Sequence, residues 1–245
     1  MKRLLISFVI VLLSFNSFAQ KPNRYLSVSG EINFSGAKII SETGEEGGNQ
    51  MRFQPWFNLQ FYNNVDKDGF GFFHGFTIRN IGFTYEKDNE KWKARTYNLG
   101  IPLGIKFGDM DGMFVYAGYE FEVPIHYRER YFRDENKTVV NSIWFSNRVS
   151  PYTHAAFIGF DFKYGFNLKF KYYFTEMFNK DFDNSGTNEY KDIRYSGGST
   201  DPNAPAEARP YLTVNNFYVA VTWNMFRKPY YYTNSEKPKE AEEIY

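Results

Sequence analysis

Residues 96–107 read Thr-Tyr-Asn-Leu-Gly-Ile-Pro-Leu-Gly-Ile-Lys-Phe. Every odd position is apolar or aromatic: Tyr97, Leu99, Ile101, Leu103, Ile105 and Phe107. The even positions are Thr96, Asn98, Gly100, Pro102, Gly104 and Lys106. Side chains alternate between the two faces of a strand, whereas a helix would scatter this pattern around its surface. The stretch therefore predicts a strand with one oily and one polar face. Its length is close to what a tilted β-strand needs to cross a bilayer.

The same alternation recurs on both sides of it. Leu26, Val28, Ile32 and Phe34 oppose Ser27, Ser29, Glu31, Asn33 and Ser35. Met51, Phe53, Phe57, Leu59 and Phe61 oppose Arg52, Gln54, Trp56, Asn58 and Gln60. Val115, Ala117, Tyr119, Phe121, Val123 and Ile125 oppose Tyr116, Gly118, Glu120, Glu122 and His126. Ala156, Ile158, Phe160 and Phe162 oppose Gly159, Asp161 and Lys163, and Leu168, Phe170, Tyr172 and Phe174 oppose Lys169, Lys171, Tyr173 and Thr175. The last set is Phe217, Val219, Val221, Trp223 and Met225 against Asn216, Tyr218, Ala220, Thr222 and Asn224. Phe70 to Arg79 is less regular, because Phe72 and Phe73 are adjacent, and a bulge is expected there. That makes eight segments.

Long and short connections alternate between these segments. The short ones carry turn residues: Asp66-Lys67-Asp68-Gly69, Asp109-Met110-Asp111-Gly112 and Lys163-Tyr164-Gly165. An up-and-down membrane barrel has this parity, with long loops at one end and tight turns at the other. A Greek-key sandwich has no reason to sort its loops so. Aromatic residues make up 21% of the chain, with 27 Phe and 20 Tyr, which suits interfacial girdles and a lipid-facing belt. The expected fold is an all-β, eight-stranded, antiparallel up-and-down transmembrane β-barrel. The polar face mixes Glu31, Glu120, Glu122 and Asp161 with Arg52, Arg79, Lys106, Lys163, Lys169 and Lys171. A barrel of eight strands is just wide enough for such side chains to fill it, so a paired, plugged lumen is expected. Pro55, Pro102 and Pro124 fall inside the segments, where each removes a ladder donor, so bulges or strand ends must absorb them.

The chain opens MKRLLISFVIVLLSFNSFAQ. Lys2 and Arg3 precede an apolar run from Leu4 to Leu13, and Ser17 and Ala19 are the small residues of a cleavage site before Gln20. Residues 1–19 therefore predict a signal peptide, 20–226 the barrel, and 227–245 a polar periplasmic tail. No cysteine is present for lipid anchoring or a disulfide framework. Without Lys2 and Arg3, 27 basic residues face 28 acidic ones, a balance that argues against a nucleic-acid partner.

On the signal peptide, the eight segments and the closing stretch Phe217-Tyr-Val-Ala-Val-Thr-Trp-Asn-Met-Phe226, the chain resembles the small outer-membrane β-barrel proteins of Gram-negative bacteria. These are the broad OmpA/OmpX-like group, and within it the outer-membrane β-barrel domain family that includes PorT-like proteins. The resemblance implies an outer-membrane location with both termini in the periplasm, the lipid bilayer as surroundings, and barrel-insertion machinery that reads the aromatic end of the last strand. An envelope protein partner is a further expectation.

The sequence offers little convergent chemistry. His126 falls on the expected face of Glu122 and Glu120, but four residues span roughly 13 Å along a strand, too far for a bond to Glu122. His74 and His154 have no evident partner. Glu120 and Glu122 suit pairing with interior Lys or Arg better than acid/base work. Asp181, Asp183, Ser185, Glu189 and Asp192, with Gly186, match the oxygen spacing of a calcium loop, though the last position departs from the usual Glu. A surface loop has the same composition. No catalytic residue, cofactor or metal ligand is therefore assigned. The expected role is that of a non-enzymatic barrel acting through extracellular loops near 128–153 and 176–211, or through envelope partners. A rim enzyme acting on lipid or peptide, and a secretion-linked or pore-forming barrel, are the alternatives.

Overall fold

The computed structural model describes residues 22–41, 49–87, 90–133, 136–182, 194–195 and 211–223. The expected signal peptide, most of the calcium-like loop, residues 201–210 and everything after Trp223, including the expected tail, lie outside the described residues.

Among the described residues twelve strands form one antiparallel sheet. They are β1 (Asn23–Ser41), β2 (Asn49–Gln50), β3 (Arg52–Gln54), β4 (Leu59–Lys67), β5 (Phe70–Lys87), β6 (Glu90–Gly108), β7 (Phe114–Arg133), β8 (Asn136–Trp144), β9 (Thr153–Asp161), β10 (Phe166–Tyr173), β11 (Arg194–Tyr195) and β12 (Tyr211–Trp223). Eight of them close a ring in the order β1, β4, β5, β6, β7, β9, β10, β12 and back to β1. The eight-stranded up-and-down barrel expected from the alternation is therefore the fold. The tight turns are where the sequence puts them. Asp68 and Gly69 take positive φ between β4 and β5, Gly165 does so between β9 and β10, and Asp109 caps its own turn by accepting from Asp111 N at 3.0 Å.

The strands are longer than the alternating segments. β5, β6 and β7 run to 18, 19 and 20 residues, about twice the length that crosses a bilayer. Stretches read as long loops are instead β-ladder: β5 pairs with β6 out to Lys87↔Glu90, and the upper half of β7 pairs with β8. β7 thus serves two partners on one edge, β9 low down and β8 above.

The prolines resolve in three ways. Pro55 lies in a break between β3 and β4, where Phe57 takes φ 64°. Asn58 bridges the break, its Nδ2 donating to Gln54 O at 2.9 Å and its Oδ1 accepting from Asn80 N at 2.8 Å. Trp56 and Phe57 both point outward there, at 75% and 65% exposure, so Trp56 does not keep its expected place on the polar face. Beside Pro102 the β5–β6 ladder skips Gly75, Phe76, Ile101 and Pro102 and resumes in the same register. Pro124 precedes a β-bulge: Asn98 pairs with Pro124 and Tyr97 with His126, leaving Ile125 unpaired.

Two expectations fail on facing. No bulge occurs at Phe72-Phe73, because the β4–β5 register is unbroken from Leu59↔Ile78 to Lys67↔Phe70. Phe72 faces out and Phe73 is buried in the lumen; the adjacency reflects an aromatic on each face. His126 faces out, not in, because the unpaired Ile125 shifts the alternation by one residue.

Candidate functional site

The lumen is the first place to look for function. Its centre is a charge network built by residues from opposite walls. Arg79 of β5 and Lys169 of β10 both bind Glu31 of β1. Lys169 Nζ also donates to Gln60 Oε1 at 2.9 Å and Tyr62 OH at 3.2 Å. Lys171 Nζ binds Glu120 at 2.7 Å and also Glu122. Arg79 Nε stands 3.6 Å from Glu120. Tyr173 OH and Asn98 Nδ2 donate to Glu122 at 2.9 and 2.7 Å, and Thr77 donates to Glu120. Three carboxylates thus meet three cations, all fully buried. Charges taken from water persist only when paired and hydrogen-bonded in this way. Glu120 and Glu122 are ion-pair partners, as the sequence suggested.

Glycine lets the rest fill. A Cβ at Gly104 would lie 2.3 Å from the Phe73 ring, one at Gly118 2.5 Å from Phe157, and one at Gly159 2.2 Å from Tyr116. Each large ring occupies the space that a facing glycine leaves. Below the network a polar cavity of about 510 Å³ opens among the tight turns. Lys106 Nζ binds Asp66 at 3.1 Å there, Tyr25 donates to Asp66 at 2.7 Å, and Tyr116 donates to Asn167 at 2.7 Å.

Above the network the interior changes character. Ala37, Ile39, Phe83, Tyr85, Ala94, Tyr127, Val149, Met177, Phe178 and Val214 form an apolar core. Phe178 meets Phe83 and Tyr127 edge-on, with centroids 6.2 Å apart in both cases. The segments after β8 and β10 fold inward to build it. Val149 bridges Phe178, Ser150 N donates to Met177 O at 3.0 Å, and Met177 N donates to Val214 O at 2.8 Å. The barrel is thus stopped twice, by ion pairs and by an apolar cap.

The outer surface carries the apolar residues. Leu99, Ile101, Leu103, Ile105 and Phe107 are all 40–53% exposed, and the other strands match them. Five alternate positions at barrel tilt give a band about 20 Å tall. Its upper limit is aromatic: Tyr97, His126 and Trp144 lie side by side, with His126 4.7 Å from Trp144 and 5.6 Å from Tyr97.

Among the described residues the three histidines join no carboxylate. His126 Nε2 bonds Ser142 Oγ at 3.0 Å, His74 bonds Asn63 at 3.3 Å, and His154 bonds Tyr119 OH. No group of three or more metal-ligating side chains occurs among the described residues. Among the described residues no helix is long and apolar enough to cross a membrane, which does not bear on a barrel.

No family model and no curated protein matches the sequence. Among solved structures the chain is similar to Ail, the attachment invasion locus protein of Yersinia pestis, in complex with the heparin analogue sucrose octasulfate, at 10% identity over 83% of this chain and 99% of that one (TM-score 0.36). It is similar to Neisserial surface protein A at 10% identity over 80% and 94% (TM-score 0.37), and to CarO of Acinetobacter baumannii at 10% over 80% and 97% (TM-score 0.33). All are small Gram-negative outer-membrane barrels, the group that the sequence resembles. The barrel itself is defined by the closed ring of strand pairings and not by these likenesses.

Proposed function

We propose that the chain is a closed, non-conducting barrel of the outer membrane that acts through the half standing outside the bilayer, on a surface or envelope partner. The observation behind this is the double stop. Ion pairs among Glu31, Arg79, Lys169, Glu120, Lys171 and Glu122 across the lumen, with Phe83, Tyr127 and Phe178 above them, support a closed interior. In this reading residues 1–19 are removed on export, and both termini and the tail 227–245 face the periplasm. The position of Asn23 and Trp223 beside the tight turns supports that orientation.

Planar-bilayer recordings of the refolded mature chain are expected to show no conductance steps, and regular steps would replace this reading with a pore. Purification from outer membranes with partners identified should recover surface or envelope proteins. Recovery of secretion components instead would favour the secretion-linked alternative.

A further inference from the structure

Directly above the aromatic limit, the outer surface of β6 and β7 turns strongly basic. Arg95 is opposite Arg128 and Lys93 is opposite Arg130. Arg52 joins from β3, its Nη1 donating to Ala94 O at 3.1 Å. Like charges placed directly across a strand pair oppose folding. Among the described residues none of the five makes an ion pair, Glu86 favours the charge of Lys93 only from a distance, and the Nε of Arg128 is buried without a hydrogen-bond partner. The flanking carboxylate, Glu86, is taken by Lys91 at 2.7 Å and Gln50 at 2.8 Å.

Aromatic rings lie beneath two of the head groups. Lys93 Nζ lies 5.0 Å over Phe132 and the Arg95 guanidinium 5.1 Å over Tyr97. The crowding shows in the acidities. Burial, then repulsion from Arg95 and Arg130, pushes Arg52 down to about 10. Burial and neighbouring cations also lower Lys93 and Arg130. A folded surface that keeps five cations together at this cost is shaped for an anion.

We infer that this cluster binds the phosphate groups of a glycolipid head group in the outer leaflet, with the acyl chains lying against the apolar band below. Position selects a lipid over a soluble anion. Arg95 and Arg128 are one outward position above Tyr97 and His126, and Trp144 beside them is 65% exposed. Phosphates stand at that level over a hydrocarbon layer, and guanidinium groups bind them through paired donors. The inference rests on the outer-membrane setting proposed above.

The test uses the refolded chain in nanodiscs of neutral phosphatidylcholine, with a trace of either a bisphosphorylated glucosamine lipid or its dephosphorylated form, and bound lipid counted by native mass spectrometry. The phosphorylated lipid should be retained selectively. Arg95→Gln and Arg128→Gln should each weaken retention about fivefold, while Arg128→Lys, which keeps the charge and loses the paired donors, should fall between Arg128→Gln and the parent. Both Gln variants should also unfold at higher temperature than the parent in neutral detergent, since repulsion is relieved; an arginine that merely supported the fold would give the opposite sign. Equal retention of the two lipids would overturn the site. Full competition by millimolar glucosamine 1-phosphate would overturn the lipid in favour of a free anion. The setting is tested apart from this, by impermeant maleimide labelling of Asp88→Cys in intact cells. Failure to label would remove the outer leaflet from the inference while leaving the nanodisc result standing.

Discussion

The lower and upper halves of β6 obey opposite rules. From Phe107 up to Leu99 the strand is oily outside, and its inward residues are Lys106, Gly104, Pro102, Gly100 and Asn98. From Arg95 up to Lys93 it is charged outside, with Ala94 and Trp92 within. β5 changes over at the same height, from Arg79 to Ile81, Phe83 and Tyr85, and β1 does so from Glu31 and Asn33 to Ala37 and Ile39. The changeover marks the height at which the surrounding solvent changes. Hydrocarbon around the lower half leaves the interior as the only place for polar groups. Water around the upper half restores the ordinary arrangement, with apolar residues inside. One continuous sheet thus contains a membrane protein and a soluble-type core stacked end to end.

Substitutions at matched heights should expose this. The largest effect is expected from Lys171→Met, which leaves Glu120 and Glu122 buried without their ammonium group. A loss of about 3–5 kcal/mol, measured by urea unfolding in detergent, would confirm a dry lumen, and no change would mean that water reaches it. Phe83→Ala should cost about 3 kcal/mol. Its amide exchange should rise in the upper segments around Val149 and Phe178 and stay slow in the lower strands, so exchange rising throughout would show that the halves are a single unit. Leu103→Arg, in the middle of the band, should cost about 2–4 kcal/mol in bilayers and much less in a short-chain detergent. Lys93→Leu, on the same face above the aromatic limit, should change stability by less than about 0.5 kcal/mol. If Leu103→Arg and Lys93→Leu proved equal, the assigned height of the bilayer would be wrong.

The lower half was legible in the sequence because lipid enforces strict alternation over whole strands. Tyr97 to Phe107 announces its facing without help from its neighbours. The upper half was not legible, and the reason is the same change of solvent. Residues 80–95 and 127–144 lose the oily outer face, their charged and apolar positions trade sides, and strands look like polar loops. Phe72-Phe73 misled because an aromatic on the lumen side is indistinguishable, by composition, from a break in register. The lumen pairing of Glu120 and Glu122 could be anticipated from charge alone. Their actual partner Lys171 could not, since it comes from a strand 49 residues further along the chain than Glu122. The basic cluster escaped notice because its members are scattered over three strands, and only the register brings them together.

Ile125 decides what the upper half of β7 displays. It is a phase shift of one residue, and every position beyond it depends on that shift. Removing it would send Arg128 and Arg130 toward the interior and turn Tyr127 and Glu129 outward. Changes of length in this arm are therefore subject to an even-number rule: residues added or deleted in pairs preserve the displayed surface, and single ones exchange it for the interior. Residues inserted within β7 between Glu122 and Arg128 should follow that arithmetic.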